Sequence, residues 1–116
     1  MKITSLVAAA LAFALSAAQP ANAATLYTPA AGFMNVPATC LAVNVGTKPI
    51  EVLIEQFNLF GALSNQTTET IAPGAGWAFN GGAGEAFYCK FTFKGSKGNL
   101  RGSVCFAGGG GCLSAQ

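Results

Sequence analysis

The chain has 116 residues, six lysines and arginines against four acidic residues, four cysteines and no histidine; all four acids are glutamate. That inventory excludes nucleophilic hydrolysis built on a His or Asp base, and a zinc site completed by histidine. A net charge of +2 falls short of the basic excess of a nucleic-acid binder, so no nucleic acid is expected as a partner.

The first element in chain order is a leader. Lys2 supplies a positive n-region, Ile3 to Ala18 an apolar run, Pro20 a break, and Ala21-Asn22-Ala23 a small-residue cleavage box. This is the pattern of a secretory signal peptide over 1–23. The run is shorter than the roughly 20 residues of a membrane helix, and no later segment is long and apolar enough to span. The expected mature chain is one domain over 24–116, secreted or periplasmic and not membrane-embedded. A domain this small is marginal on hydrophobic burial alone. Cys40, Cys89, Cys105 and Cys112 form an even set in a short exported chain, which reads as two disulfides made in an oxidising compartment.

Short strands follow. "TLYTP" and "FMNV" suggest an edge strand. "CLAVNVG" and "PIEVLIEQF" flank Gly46-Thr47-Lys48-Pro49 and predict a hairpin, with Leu41, Val43 and Val45 opposing Ile50, Val52 and Ile54. Pro49 suits the first residue of a strand, where a missing donor costs little. "TTETIAPG" and "GWAFNGG" add two strands around Pro73-Gly74. In "KFTFKGSKGNLRGSVCF" polarity alternates on both sides of "GSKG". Phe87, Cys89, Phe91 and Phe93 share one face, and Tyr88, Lys90, Thr92 and Lys94 the other. On the second arm Leu100, Val104 and Phe106 oppose Arg101 and Ser103. A hairpin about Gly95–Gly98 brings Phe93 to Leu100, Cys89 to Val104 and Phe87 to Phe106. Six to eight such strands without an amphipathic helix predict an all-β, antiparallel, immunoglobulin-like sandwich, with a small closed barrel as the alternative.

"CFAGGGGC" admits three readings. A phosphate loop needs a helix after its glycines, and only "CLSAQ" follows. C-x6-C is not a usual zinc spacing, and no histidine or aspartate completes a site. Neither cofactor nor metal is expected. The third reading is a disulfide strap: Cys105 lies on the outward face of its strand, and a glycine tract lets the chain double back to Cys112. Elimination then pairs Cys40 with Cys89. One observation disagrees. Strict alternation sets Cys40 on the face opposite Leu41 and Val43, away from the expected core, and a bulge between Ala38 and Leu41 is needed to turn it inward.

"CLAVNVGTKPIEVLIEQFN", "TIAPGAG" and "FYCKFTFKGSKGNLRGSVCF" with a closing cysteine carry C-x3-N-x-G, A-P-G, Y-C-[KR]-F, G-S-K and R-x-S-x-C motifs. Over Leu26 to Cys112 the chain resembles an uncharacterised β-sandwich domain of bacterial exported proteins, a family of unknown function. The resemblance implies a sandwich with the same two disulfides, and supplies no catalytic or binding residue. "NLFGALSNQ" is less turn-like than the corresponding stretch of that pattern.

Chemistry-bearing residues are few. Glu51 and Glu55 share a strand face but stand roughly 13 Å apart along it, beyond the reach of paired-carboxylate glycoside chemistry, so no enzyme is expected. Lys90, Lys94 and Arg101 share the outer face of the expected terminal hairpin, with Lys97 at its tip. That is a candidate patch for an anionic polymer such as lipopolysaccharide, an acidic glycan or DNA. The competing reading is solubility and protection of an outer strand against edge pairing. Only Tyr88 interleaves an aromatic ring with these cations, a weak basis for a base-stacking platform. Trp77 and Phe79, two apart, are read as core in preference to a sugar platform, and Asn65-Gln66-Thr67 is a glycosylation sequon. The function expected is a non-catalytic binding or structural module of the periplasm or cell exterior, with a protein or glycan partner at the envelope. The alternative is a pilin-like assembly subunit completed by a donated strand.

Overall fold

In a computed structural model the described residues are 23–30, 38–58, 60–80, 87–106 and 111–116. The leader up to residue 22, "FMNV", Glu85 and the first three glycines of "GGGG" lie outside them. Eight strands form: β1 (Ala23–Tyr27), β2 (Ala38–Asn44), β3 (Ile50–Asn58), β4 (Leu63–Ile71), β5 (Gly76–Asn80), β6 (Phe87–Lys94), β7 (Leu100–Phe106) and β8 (Cys112–Ser114). They make two four-stranded antiparallel sheets, ordered β1-β6-β3-β4 and β5-β2-β7-β8. The fold is an all-β sandwich, and no described helix is long and apolar enough to cross a membrane.

Both expected hairpins prove to be arches. β6 pairs with β1 and β3, while β7 pairs with β2 and β8, so the arms around "GSKG" sit in different sheets. β2 and β3 are likewise in different sheets. Their apolar faces meet across the core and not side by side. The physical reason lies in period-two alternation, which marks a shared face but is satisfied equally by neighbours in one sheet and by strands facing across two. β4 and β5, the strands around Pro73-Gly74, also divide between the sheets.

The second correction concerns β2. Its buried residues are Ala38, Cys40, Ala42 and Asn44, whereas Leu41 and Val43 are half-buried on the outer side. No bulge is required: Cys40 points inward on a regular strand and bonds to Cys89. Size explains the phase. The opposite sheet contributes Phe91, Phe93, Ile50, Val52 and Ile54 to the core, and close packing leaves room for only small side chains facing them.

The β2–β3, β4–β5 and β6–β7 arches lie at one end of the sandwich, and Asn44 ties them together. Its side chain is fully buried; Nδ2 donates to Lys48 O (2.8 Å) and Ile71 O (2.9 Å), and Oδ1 accepts from Gly46 N–H (2.9 Å). Its backbone carbonyl takes the N–H of Gly74 (2.8 Å), whose φ of +78° suits the Pro73-Gly74 turn. Val45 N–H donates to Asn99 O in the 3-10 turn Lys97–Asn99 of the third arch. Along one side the sheets are also joined through backbone, where Tyr27 and Gln116 exchange N–H···O bonds of 3.0 and 2.9 Å; Ala115 N–H donates to Gly102 O and continues the β7–β8 pairing. The second disulfide, Cys105–Cys112, straps β8 to β7.

Candidate functional site

The outer face of the β1-β6-β3-β4 sheet gathers aromatic residues from three strands. Alternation sends Tyr27 of β1, Tyr88 and Lys90 of β6, and Glu55 and Phe57 of β3 outward, because Leu26, Cys89, Phe91, Ile54 and Gln56 are buried beneath them. The register then sets Tyr27 beside Lys90, Lys90 beside Glu55, Tyr88 beside Phe57, and Phe57 beside Leu63 of β4. Side chains that neighbour across strands interact directly. Phe57 and Tyr88 are stacked with centroids 5.2 Å apart and planes at 13°. Tyr27 leans on Tyr88 at 6.4 Å and 49°.

One charge pair sits within this row. Lys90 Nζ lies 4.0 Å from Glu55 Oε1 and 5.7 Å from the centre of the Tyr27 ring. The ammonium is thus shared between a carboxylate and a π face. The row is continuous, apolar at its centre and electrically balanced. Tyr27 and Leu63 are about half exposed, at 49% and 48%, and Phe60, in the β3–β4 turn beyond them, is almost wholly exposed. Aromatic rings with one polar handle, held on a rigid sheet, are the side chains that anchor protein interfaces.

The expected cationic patch is divided. Lys90 belongs to the aromatic row. Lys94 lines a shallow depression on the same sheet together with Lys48 and Glu51, at the arch end of the molecule. Lys97 and Arg101 line a second depression with Leu26 and Ser114. The cause is the arch: β6 carries Lys90 and Lys94 into one sheet while β7 carries Arg101 into the other. β6 is also an inner strand, so its lysines do not guard an edge. Trp77 and Phe79 do not form a flat pair, because Phe79 packs against the core while Trp77 is 42% exposed. Among the described residues no three His, Cys, Asp or Glu side chains cluster as a metal site.

Tyr27, Phe57 and Leu63 were not singled out by sequence reasoning. Tyr88 was assigned its correct outer face there, and Phe57 shares the phase of Glu51 and Glu55; only the strand order that makes them neighbours was missing.

No protein-family model, curated protein or solved structure matches the chain.

Proposed function

We propose that the protein is an exported, non-catalytic binding module of the periplasm or cell exterior, which holds a protein partner at the envelope through the Tyr27–Tyr88–Phe57 face. The observation that carries this reading is the aromatic row itself, with Tyr27 exposed and Phe57 and Tyr88 half-buried on a sheet whose opposite side is a filled core. Export rests on the signal-peptide pattern of 1–23 and on two disulfides, which persist in oxidising compartments. A protein is favoured over a glycan because Phe57 and Tyr88 cover one another's faces and Lys90 stands over Tyr27, so the rings offer edges to a partner in place of open stacking planes. The Cys40–Cys89 bond, joining an inner strand of each sheet, supports an immunoglobulin-like reading. In that fold, however, the strand bearing the second cysteine pairs with the strand that follows it, whereas β6 here pairs with β1 and β3 and β7 crosses to β2.

The test is capture of envelope proteins by the immobilised, disulfide-intact protein, in parallel with a glycan array. Binding of one defined protein that is lost in the Tyr27→Ala/Tyr88→Ala double variant, with its unfolding midpoint retained, is the expected result. Binding to the array alone, or capture indifferent to the double variant, would remove this reading. The pilin-like alternative has one support, the outer edge of β4, with which no strand pairs among the described residues.

A further inference from the structure

We propose that the outer edge of β4 is a homodimer interface, in which two copies join antiparallel about a two-fold axis at Thr67 and merge their β1-β6-β3-β4 sheets into one. β4 is nine residues long, and among the described residues no strand pairs with its outer side. Exposed strand edges usually carry lysine, proline or a break that discourages pairing. "LSNQTTETI" has neither lysine nor proline; its guards are the inward Glu69 beside Val52 and the register shift opposite Gln56–Phe57, which leave Asn65–Thr68 as the open stretch between them.

Antiparallel ladders alternate, so every second residue directs its N–H and C=O away from the neighbouring strand. Asn58 N–H bonds toward Ala62 at the turn, and Gln66 N–H is held by its neighbour Asn65 Oδ1 at 3.0 Å and not by β3. Gln66, Thr68 and Thr70 are therefore the residues whose backbone groups face outward. The sequence complements itself about Thr67. Overlap of the regular stretch Asn65–Glu69 sets Asn65 against the partner's Glu69 and Gln66 against the partner's Thr68. On the inner face an amide meets the strand's only carboxylate, on the outer face an amide meets a hydroxyl, and no like charges oppose. Gln66 and Thr68 then exchange backbone hydrogen bonds with their counterparts once Asn65 releases the Gln66 N–H. A two-fold contact of this kind closes on itself and ends at a dimer. It lies apart from the Tyr27–Tyr88 pair, so dimerisation and capture of an envelope protein stand or fall separately.

Sedimentation equilibrium of the purified, disulfide-intact protein, from micromolar to near-millimolar concentration, is expected to show a monomer–dimer equilibrium. Thr68→Pro removes one outward donor and leaves the β3–β4 ladder whole, since proline is tolerated where the N–H faces solvent. It is expected to raise the dimer dissociation constant at least about tenfold, with an unchanged circular dichroism spectrum. Thr67→Cys supplies a second readout, because the two-fold sets residue 67 opposite itself: a disulfide-linked dimer is expected on a non-reducing gel. A wild-type chain monomeric throughout, open-ended polymers, a Thr68→Pro dimer as tight as wild type, or a Thr67→Cys variant that does not cross-link would each overturn the proposal.

Discussion

Gly102 of β7 lies directly beneath the ring of Phe91 of β6, so that a Cβ on Gly102 would stand 2.6 Å from Phe91 Cε2 and 2.7 Å from Cδ2. The contact spans the two sheets at the centre of the sandwich, where both residues are buried. No side chain fits there without displacing the largest ring of the core. Gly102→Ala is therefore expected to destabilise the domain by about 1–3 kcal/mol through overpacking. Phe91→Leu should cost stability by itself but relieve the clash. Chemical denaturation of both single variants and the double should show the double more stable than the sum of the two costs. Simple additivity would mean that the two residues do not press on each other.

Asn44 is the most heavily bonded side chain of the arch end. Asn44→Ala strands the buried carbonyl of Ile71 together with the part-buried carbonyl of Lys48 and N–H of Gly46, and a buried, unmade hydrogen bond costs about 1–3 kcal/mol. A loss of roughly 2–3 kcal/mol is expected in equilibrium unfolding. Asn44→Asp should be no better at neutral pH, since a carboxylate can accept from Gly46 but would face two carbonyl oxygens. Either variant unfolding at the wild-type midpoint would show that the three arches do not depend on this side chain.

These two sites show what the sequence discloses and what it withholds. Most strands, their turns and both disulfides are legible, because alternation and cysteine parity are local properties; the first half of β4 and the short β8 are not. Strand adjacency is not. "GTKP" and "GSKG" each join arms with matching apolar faces, and the same match serves a hairpin or an arch across the core. β2 was also misleading in size: Leu41 and Val43 look more like core than Ala42 and Cys40. The better guide was Cys40 itself, whose phase, together with Asn44, marks the buried face without a bulge.

The candidate site was less legible for the same reason. Tyr27, Phe57 and Tyr88 are 30 residues apart or more, and come together only through the order β1-β6-β3. The cations, consecutive in sequence, are separated by the arch that follows β6.

The two disulfides should contribute unequally. Cys40–Cys89 closes a separation of 49 residues, Cys105–Cys112 one of 7. Chain-entropy scaling gives about 4 kcal/mol for the first and about 2.5 for the second. The first joins the sheets through fully buried sulfurs backed by Gln56, while the second ties a three-residue strand to β7. The Cys40→Ala/Cys89→Ala variant is expected to be largely unfolded at 37 °C, and Cys105→Ala/Cys112→Ala to stay folded with a lower midpoint. Hydrogen exchange on the latter should localise its loss of protection to β8 and to the Tyr27–Gln116 bonds. A reversed order of stability would mean that the strap, and not the bridge between sheets, holds the domain.

Lys90 and Glu55 test whether the aromatic row serves folding or recognition. Their side chains retain 29% and 15% exposure, and the pair sits at the 4.0 Å limit of an ion pair. A contact this open and this long contributes less than about 1 kcal/mol after solvent screening. A double-mutant cycle of Lys90→Met and Glu55→Gln should therefore return a coupling within that bound, falling further as salt is raised. Tyr88→Ala, which also removes the stack on Phe57, should lower stability more than Lys90→Met does, because aromatic neighbours add about 0.5–1.5 kcal/mol beyond their burial. If Lys90→Met leaves the unfolding midpoint in place yet weakens capture of the partner protein, the charge belongs to recognition. Equal loss of stability and of capture would assign the whole row to the fold.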